Sequence, residues 1–223
     1  MNTDEILQKS PLFTGIEPKC VKQLTERMGA YTRIYEDGET VMREGNAVTK
    51  FGLVLSGCVR IENCDFWGNK TILGNTLPGQ VFAEAYAFSK GSALMVNAVA
   101  FGSTEVMFLD GEKIFDCNCG NTHLALSFLK NLIYASSGKN LALSRKILST
   151  SPRTIRARLL TYLSEQAKIS GNAHFEIEFD RQQLADYLNV DRSALSAELS
   201  KMRKDGLILY SRNKFTLLSD SDN

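Results

Sequence analysis

The spacing of apolar and polar residues changes along the chain, and the changes divide it into three parts. Over residues 31–110, short β-prone runs alternate with turn-forming pairs such as Ser56-Gly57 and Pro78-Gly79. This pattern is typical of an all-β sandwich or roll. We therefore predict strands over residues 51–55, 58–61, 71–73, 96–101 and 105–109.

Residues 122–148 have a different pattern, which predicts one long helix. The segment has no proline and a single glycine, and its apolar residues recur at alternating spacings of three and four. The stripe consists of Leu126, Leu129, Ile133, Leu143 and Ile147, with Ser136 and Asn140 completing it. So narrow a stripe favours packing against an identical helix, in which Asn140 would fix the register. The alternative is a helix that lies on the β module.

A second, smaller domain is predicted to follow this helix. Ser151-Pro152 indicates an N-cap followed by proline at the first helical position, so we expect a new helix from there to about Ile169. Residues 174–179 then alternate polar and apolar, as a half-buried strand does.

Two short capped helices come next. Asp180 stands three residues before Gln183, which is a variant of the capping box and opens a helix that ends at Leu188. After a tight turn, Asp191 is a second N-cap, and a helix from Arg192 to about Lys204 follows. Two such helices joined by a tight turn predict a helix-turn-helix.

The order of the residues in this unit assigns roles, because the second helix of a helix-turn-helix enters the major groove of DNA. Arg192 begins that helix, where a guanidinium can bond guanine in bidentate fashion, and Ser193 and Ser196 share its exposed side. Phosphate contacts are expected from Arg181, Gln182 and Lys201. Residues 207–210 and 215–218 flank a cationic tip with Asn213 and Lys214, which predicts a DNA-contacting wing.

The net charge of the chain does not indicate DNA binding, but the distribution of charge near the C-terminus does. The net charge is only +1, from 26 Lys+Arg and 25 Asp+Glu. Five basic residues lie between Lys201 and Lys214, against Asp205 as the single acidic residue. Clustered positive charge is what phosphate contact requires. The alternative is a solvated helix end and hairpin.

Composition excludes several classes of protein. No apolar run approaches the length of a membrane span, and the acidic N-terminus is unlike a secretory signal. Five cysteines form no disulfide framework, so we expect a cytoplasmic protein. There is no P-loop and no dinucleotide glycine pattern, and the only histidines are His123 and His174. We therefore expect neither an enzyme nor a cofactor.

Four segments resemble the Crp/Fnr family of bacterial transcription regulators, and the resemblance extends over residues 11–218. They are Gly38-Glu39-Thr40-Val41-Met42-Arg43-Glu44-Gly45, Leu55-Ser56-Gly57-Cys58-Val59-Arg60, Pro78-Gly79-Gln80-Val81-Phe82 and Leu184-Ala185-Asp186-Tyr187-Leu188-Asn189-Val190-Asp191-Arg192-Ser193. The resemblance implies an α+β fold in three parts. These are an effector-sensing β-roll like that of cyclic-nucleotide-binding domains (a double-stranded β-helix, 1–120), a dimerisation helix (121–150) and a winged helix-turn-helix (151–223).

The resemblance also indicates where an effector would bind. Members that bind cyclic nucleotides carry a Glu for the ribose and an Arg-Ser pair for the cyclic phosphate. Glu84 matches the first, but Leu94 and Met95 occupy the Arg-Ser positions and offer a phosphate neither charge nor a hydrogen bond. Lys139 and Asn140 match helix positions that contact effector. We expect an effector other than cyclic AMP, and the alternative is a cyclic-nucleotide-binding regulatory protein.

Two further departures from the family concern cysteines and base reading. Members with an iron–sulfur cluster have an N-terminal cysteine cluster, whereas here only Cys20 precedes Cys58. Cys117 and Cys119, with His123 nearby, indicate a thiol sensor, a metal-site fragment or ordinary structural cysteines, and we predict no metal site. Ser193 and Ala197 stand at DNA-reading positions where many members have Glu and Arg.

The expected function follows from these observations together. We predict a homodimeric, sequence-specific transcription regulator of duplex DNA with a two-fold symmetric operator. A small-molecule or redox signal at the roll would control it, and RNA polymerase would be a partner if the protein is an activator.

Overall fold

The structure is a computed structural model that describes residues 3–64, 67, 70–89, 91–115 and 122–218. The chain folds as two compact units, Met1–Gly138 and Lys139–Asn223.

The first unit is a β-roll with helices before and after it. Its elements in chain order are α1 (Thr3–Lys9), α2 (Pro18–Arg27), β1 (Tyr31–Tyr35), β2 (Thr40–Met42), β3 (Lys50–Cys64), β4 (Lys70–Thr76), β5 (Val81–Phe82), α3 (Glu84–Ala87), β6 (Asn97–Asp110) and the start of α4 (Thr122–Thr150). Strands β1, β6, β3 and β4 are hydrogen-bonded in that order, while β2 pairs with β6 and β5 pairs with β3.

Two long antiparallel strands replace four of the predicted short ones. The predicted strands 51–55 and 58–61 are both part of β3, and residues 97–101 and 105–109 are both part of β6. Gly57 and Gly102 have left-handed backbones, so the chain bends at these two glycines without ending the pairing. A Cβ at Gly57 would collide with the carbonyl oxygen of Ser103, which explains why glycine is needed there.

The long helix is confirmed as α4, and one side of it packs on the first unit. Leu124, Phe128 and Leu132 are buried in the core that α1, α2 and the roll share. Asn131 donates hydrogen bonds to the carbonyl oxygens of Leu12 (3.1 Å) and Thr14 (2.8 Å). The part of α4 that belongs to the first unit therefore packs on the core of that unit, as the second interpretation predicted.

The other side of α4 is exposed and apolar, which is what the first interpretation requires. The predicted stripe residues Leu126, Ile133, Leu143 and Ile147 are exposed, whereas Leu129 is partly buried against the core. Leu141 and Leu148, which the prediction left out, are also exposed and widen the apolar surface. Helix α4 therefore has both a buried apolar side, in the first unit, and an exposed apolar side.

The second unit is a small α+β domain that starts with the end of α4. Its further elements are α5 (Ile155–Ser170), β7 (His174–Glu176), α6 (Arg181–Leu188), α7 (Arg192–Lys204), β8 (Ile208–Ser211) and β9 (Lys214–Leu217). The three strands pair in the order β7-β9-β8. The core contains Leu159, Leu163, Leu184, Leu195, Leu199 and Phe215.

Two predicted boundaries in this unit are wrong. Ser151 is not an N-cap, because its hydroxyl donates to the carbonyl oxygen of Ile147 (2.6 Å) and so closes the preceding helix. Thr154 caps α5 instead, and its hydroxyl accepts from the N–H of Ala157 (3.2 Å). The strand predicted over 174–179 ends at Glu176, after which the N–H of Ile177 donates to the carbonyl oxygen of Asn213.

Candidate DNA-binding surface

Both predicted caps of the helix-turn-helix are present. The Asp180 carboxylate accepts from the N–H of Gln183 (2.8 Å), and the Gln183 side chain accepts in return from the N–H of Asp180 (2.9 Å). Helix α6 ends at Asn189, whose left-handed backbone turns the chain towards α7. Asparagine tolerates this conformation better than most residues, so the turn is encoded locally.

Asp191 starts α7 and fixes the first turn of the recognition helix. Its carboxylate accepts from the backbone N–H groups of Ser193 (2.8 Å) and Ala194 (3.0 Å), and from the Ser193 hydroxyl. The Ser193 hydroxyl is the main cause that lowers the pKa of Asp191, followed by the two N–H groups. The cap is therefore charged at neutral pH, and the hydroxyl of Ser193 is engaged by its neighbour.

Burial divides α7 into a core side and an outer side. Leu195, Leu199 and Met202 are fully buried. The outer side carries the residues predicted to read DNA, of which Arg192, Ser193, Ala197 and Lys201 are exposed and Ser196 is partly so. Because residues three or four apart share a helix face, the structure brings these side chains together.

Two arginines of α5 bind the helix-turn-helix, one at α7 and one at the turn between its two helices. Arg156 forms salt bridges with Glu198 (2.6 Å) in the middle of α7 and Asp205 (2.7 Å) at its end. Arg158 donates hydrogen bonds to the carbonyl oxygens of Leu188 and Asn189 at the turn. Sequence reasoning missed both residues, because their partners lie 30 or more positions away and leave no local signal.

The predicted hairpin is present as β8 and β9, and its tip is Arg212-Asn213. Arg212 is exposed and has a left-handed backbone, while Lys214 is exposed at the start of β9. The Asn213 amide donates to the carboxylate of Glu176 (2.8 Å) and to the carbonyl oxygen of Ile177 (3.1 Å). Of the predicted wing contacts, Lys214 therefore faces solvent, whereas the amide of Asn213 holds the tip in place.

The two predicted phosphate contacts on α6 differ in their surroundings. Gln182 is exposed, and its amide donates to the carboxylate of Asp186 (2.8 Å). Arg181 is half-buried, and its guanidinium donates to the carbonyl oxygen of Arg212 (3.2 Å). Burial is the main cause that lowers the pKa of Arg181, and nearby Arg192 lowers it further.

The candidate effector residues do not share one environment. Glu84 is buried at the start of α3, and Leu94 is buried with 4% of its surface exposed, whereas Met95 is 71% exposed. The backbone of Leu94 is held by two long-range hydrogen bonds: its carbonyl oxygen accepts from the N–H of Gly45 (2.8 Å), and its N–H donates to the carbonyl oxygen of Asn46 (2.9 Å). Lys139 and Asn140 are exposed and belong to the second unit.

Cysteines and histidines show no metal centre in the described part of the chain. Cys20, Cys58 and Cys64 are free thiols, and no group of three or more Cys, His, Asp or Glu residues within the described ranges could hold a metal ion. Burial raises the pKa of the Cys58 thiol. Cys117 and Cys119 lie outside the described residues.

Comparisons with known proteins agree with this architecture. The family model of the cyclic nucleotide-binding domain matches residues 32–117, and the family model of the Crp-like helix-turn-helix domain matches residues 157–220. The chain belongs to the Crp/Fnr family of transcription regulators. This family is one of DNA-binding regulators and not of enzymes. No helix of the described residues is long and apolar enough to cross a membrane.

The chain is similar, at low sequence identity, to other members of the Crp/Fnr family. The CRP-like cAMP-activated global transcriptional regulator of Mycobacterium tuberculosis is 22% identical over 220 residues, which cover 98% of this chain and 96% of that protein. The cyclic AMP receptor protein of Thermus thermophilus is 29% identical over 103 residues, 46% of each chain. The c-di-GMP responsive regulator CLP of Xanthomonas campestris has the same fold, with a TM-score of 0.57, 18% identity and coverage of 91% and 100%.

Proposed function

We propose that this Crp/Fnr regulator binds, as a homodimer, a two-fold symmetric duplex site, and that a signal other than cyclic AMP controls it at the β-roll. The proposed parts are the roll (1–120), the dimerisation helix (121–150) and the winged helix-turn-helix (151–223). The protein acts in the cytoplasm, where the DNA is, and contacts RNA polymerase if it activates transcription.

The outer surface of α7 carries the proposal for DNA. Arg192 stands on the first turn of a helix that is capped by Asp191 and braced through Glu198. Its exposed guanidinium suits the O6 and N7 atoms of guanine, a contact that contributes about 1–3 kcal/mol of discrimination between bases. Ser196 and Ala197 line the same face, whereas the hydroxyl of Ser193 is held by Asp191 and contributes less. Gln182, Lys201 and Lys214 supply contacts to phosphates.

The exposed apolar side of α4 supports the dimer. Ile133 and Leu126, about 60% exposed, lie one heptad apart on this surface. An apolar helix face of this length is stabilised by packing on an identical helix. A two-fold dimer presents two recognition helices, which read half-sites about 34 Å apart, one helical turn along the duplex.

The effector is inferred from what the roll offers to a ligand. Relatives respond to different nucleotides, since the regulator from Mycobacterium is named for cAMP and CLP for c-di-GMP. Family membership therefore leaves the effector open. Leu94 is buried and apolar at the position where cyclic-nucleotide binders have arginine, and a phosphate without a cation is strongly disfavoured there. We therefore propose that the signal is a small molecule of other chemistry or a redox change.

Two measurements test the proposal. Affinity for duplex DNA should fall steeply as salt rises, because each phosphate contact releases counterions, and Lys201→Ala should make the salt dependence shallower by about one contact. An affinity that does not change with salt would rule out this mode of DNA binding. Calorimetry with cyclic AMP tests the effector: we expect no heat of binding, and micromolar binding would favour the alternative of a cyclic-nucleotide-controlled regulator.

A further inference from the structure

One guanidinium joins the first helix of the helix-turn-helix to the wing. Arg181, on the first turn of α6, donates a hydrogen bond from Nη2 to the carbonyl oxygen of Arg212 at the wing tip (3.2 Å). Its Cζ lies 5.2 Å from the ring centre of Tyr210 and 6.0 Å from that of Phe215. The side chain thus contacts both strands of the wing and its turn.

The same wing tyrosine also contacts the recognition helix. The Cζ of Arg203 on α7 lies 5.7 Å from the ring centre of Tyr210, and the Tyr210 hydroxyl is 3.4 Å from the hydroxyl of Ser200. Tyr210 is therefore flanked by one arginine from each helix of the motif. Cation–aromatic contacts of this kind are attractive and restrict where the ring can lie.

The wing tip is held from a second direction as well. The Asn213 amide donates to the carboxylate of Glu176, the last residue of β7, and to the carbonyl oxygen of Ile177, the residue that follows. Between these anchors, the cationic side chains of Arg212 and Lys214 extend to solvent. The position of these two cations relative to α7 is thus set by Arg181 on one side and Asn213 on the other.

We infer that Arg181 is a positioning residue, whose contribution to DNA binding acts through the wing cations Arg212 and Lys214 rather than through a phosphate contact of its own. This inference rests on the proposed function, because it requires that the wing binds DNA. It replaces the direct phosphate contact that the sequence predicted for Arg181. Gln182, the next residue, remains on the exposed side of α6 and keeps that role.

A double-mutant cycle separates the two roles. We compare Arg181→Gln in the wild-type protein and in a protein whose wing carries Arg212→Gln and Lys214→Gln, and measure the dissociation constant for one duplex at fixed salt. If Arg181 acts through the wing, its loss weakens binding about tenfold in the first background and less than about twofold in the second. If Arg181→Gln weakened DNA binding by the same factor in both backgrounds, the inference would be overturned. Gln182→Ala is the matched control, and its effect should be the same in both.

Arg181→Lys gives a second test, because lysine keeps the charge that a phosphate needs but loses the planar group that stacks and donates in a fixed direction. We expect Arg181→Lys to bind DNA as weakly as Arg181→Gln. A lysine variant with nearly wild-type affinity would indicate a phosphate contact and contradict the positioning role.

Amide hydrogen exchange of the protein without DNA tests the contact itself. Arg181→Gln and Arg181→Lys should each accelerate exchange at residues 208–217, while the amides of α7 keep their protection. Unchanged exchange in the wing would refute the inference. If the wild-type protein fails to bind duplex DNA, the proposed function is wrong, and exchange still decides whether Arg181 positions the wing. If it binds but the cycle is additive, only the role of Arg181 is wrong.

Discussion

The guanidinium of Arg158 donates a hydrogen bond to the carbonyl oxygen of Asn189 over 3.0 Å, at the point where α6 ends. The same nitrogen lies 3.0 Å from the carbonyl oxygen of Leu188, and Nε of Arg158 donates to the carbonyl oxygen of Pro152 (2.8 Å). The last carbonyl groups of a helix have no partner within it. One side chain of α5 therefore completes the end of α6 and attaches the turn of the motif to the segment that precedes α5.

Replacing Arg158 is expected to loosen this turn. Arg158→Met should lower the free energy of unfolding of the second unit by about 2–3 kcal/mol, because three carbonyl groups lose a charged donor. Native-state hydrogen exchange at α6 measures the effect. Arg153→Met is the control, since Arg153 is exposed and should change stability by less than about 0.5 kcal/mol. Equal protection of α6 in both variants would contradict this role of Arg158.

The backbone of Ala83 is strained, so we expect glycine to be more stable than alanine at this position. Its φ is 61°, in the left-handed region, at the residue that precedes α3. Ala83→Gly should therefore raise the free energy of unfolding by about 0.5–1 kcal/mol. The same exchange at Ala142, which is helical and exposed, should lower it by about 1 kcal/mol. Urea denaturation compares the two, and a loss of stability at both positions would show that Ala83 is not strained.

Because Asp191 caps the recognition helix, we expect the stability of the folded protein to depend on pH in the acid range. The pKa of Asp191 is lowered in the folded state, so the unfolded chain binds a proton more readily at this residue. The charged Asp191 carboxylate therefore stabilises the folded state fully at pH values above its ordinary pKa, about 4. This stabilisation is lost as the pH falls through the lower pKa that Asp191 has in the folded state. NMR titration should show this low midpoint.

Removing the hydroxyl that is the largest single cause of this shift should raise the titration midpoint of Asp191. Ser193→Ala is expected to move the pKa of Asp191 back towards its ordinary value, because the Ser193 hydroxyl is the largest cause of the shift. The sequence preference for DNA should change little in this variant, because Asp191 holds the Ser193 hydroxyl. A titration midpoint that does not move would mean that the hydroxyl does not bind the cap.

The exposed side of α4 predicts how the protein assembles. Ile133→Lys places a charge in the proposed helix pair and should convert a dimer into a monomer at micromolar concentration, as measured by light scattering. Ala142→Lys, on an exposed position outside the predicted stripe, should leave the dimer intact. A wild-type monomer, or an Ile133→Lys variant that remains dimeric, would contradict the proposed interface.

The parts of the fold that the sequence predicted are those encoded by neighbouring residues. Asp180 and Gln183 bond each other three positions apart, and Asp191 caps its own helix, so both helices of the motif could be placed. The strands were predicted too short because Gly57 and Gly102 look like turns, whereas long-range pairing continues through them.

The contacts that could not be predicted join distant positions. Arg158 meets Asn189, 31 residues away, and Arg181 meets Arg212, also 31 residues away. Neither arginine differs in its local sequence from an exposed one. The stacking of Arg181 on the wing is therefore visible only once the hairpin has folded back on α6.

Binding-site selection from random duplex DNA is the decisive test of whether Arg192 on α7 reads DNA, with the wild-type protein and Arg192→Ala compared at the same salt concentration. We expect the wild-type protein to enrich an inverted repeat whose half-site centres lie about 10 base pairs, or a multiple of this, apart. Arg192→Ala should relax the preference at one base pair in each half-site. No enriched sequence, or the same profile from both proteins, would contradict this role of Arg192.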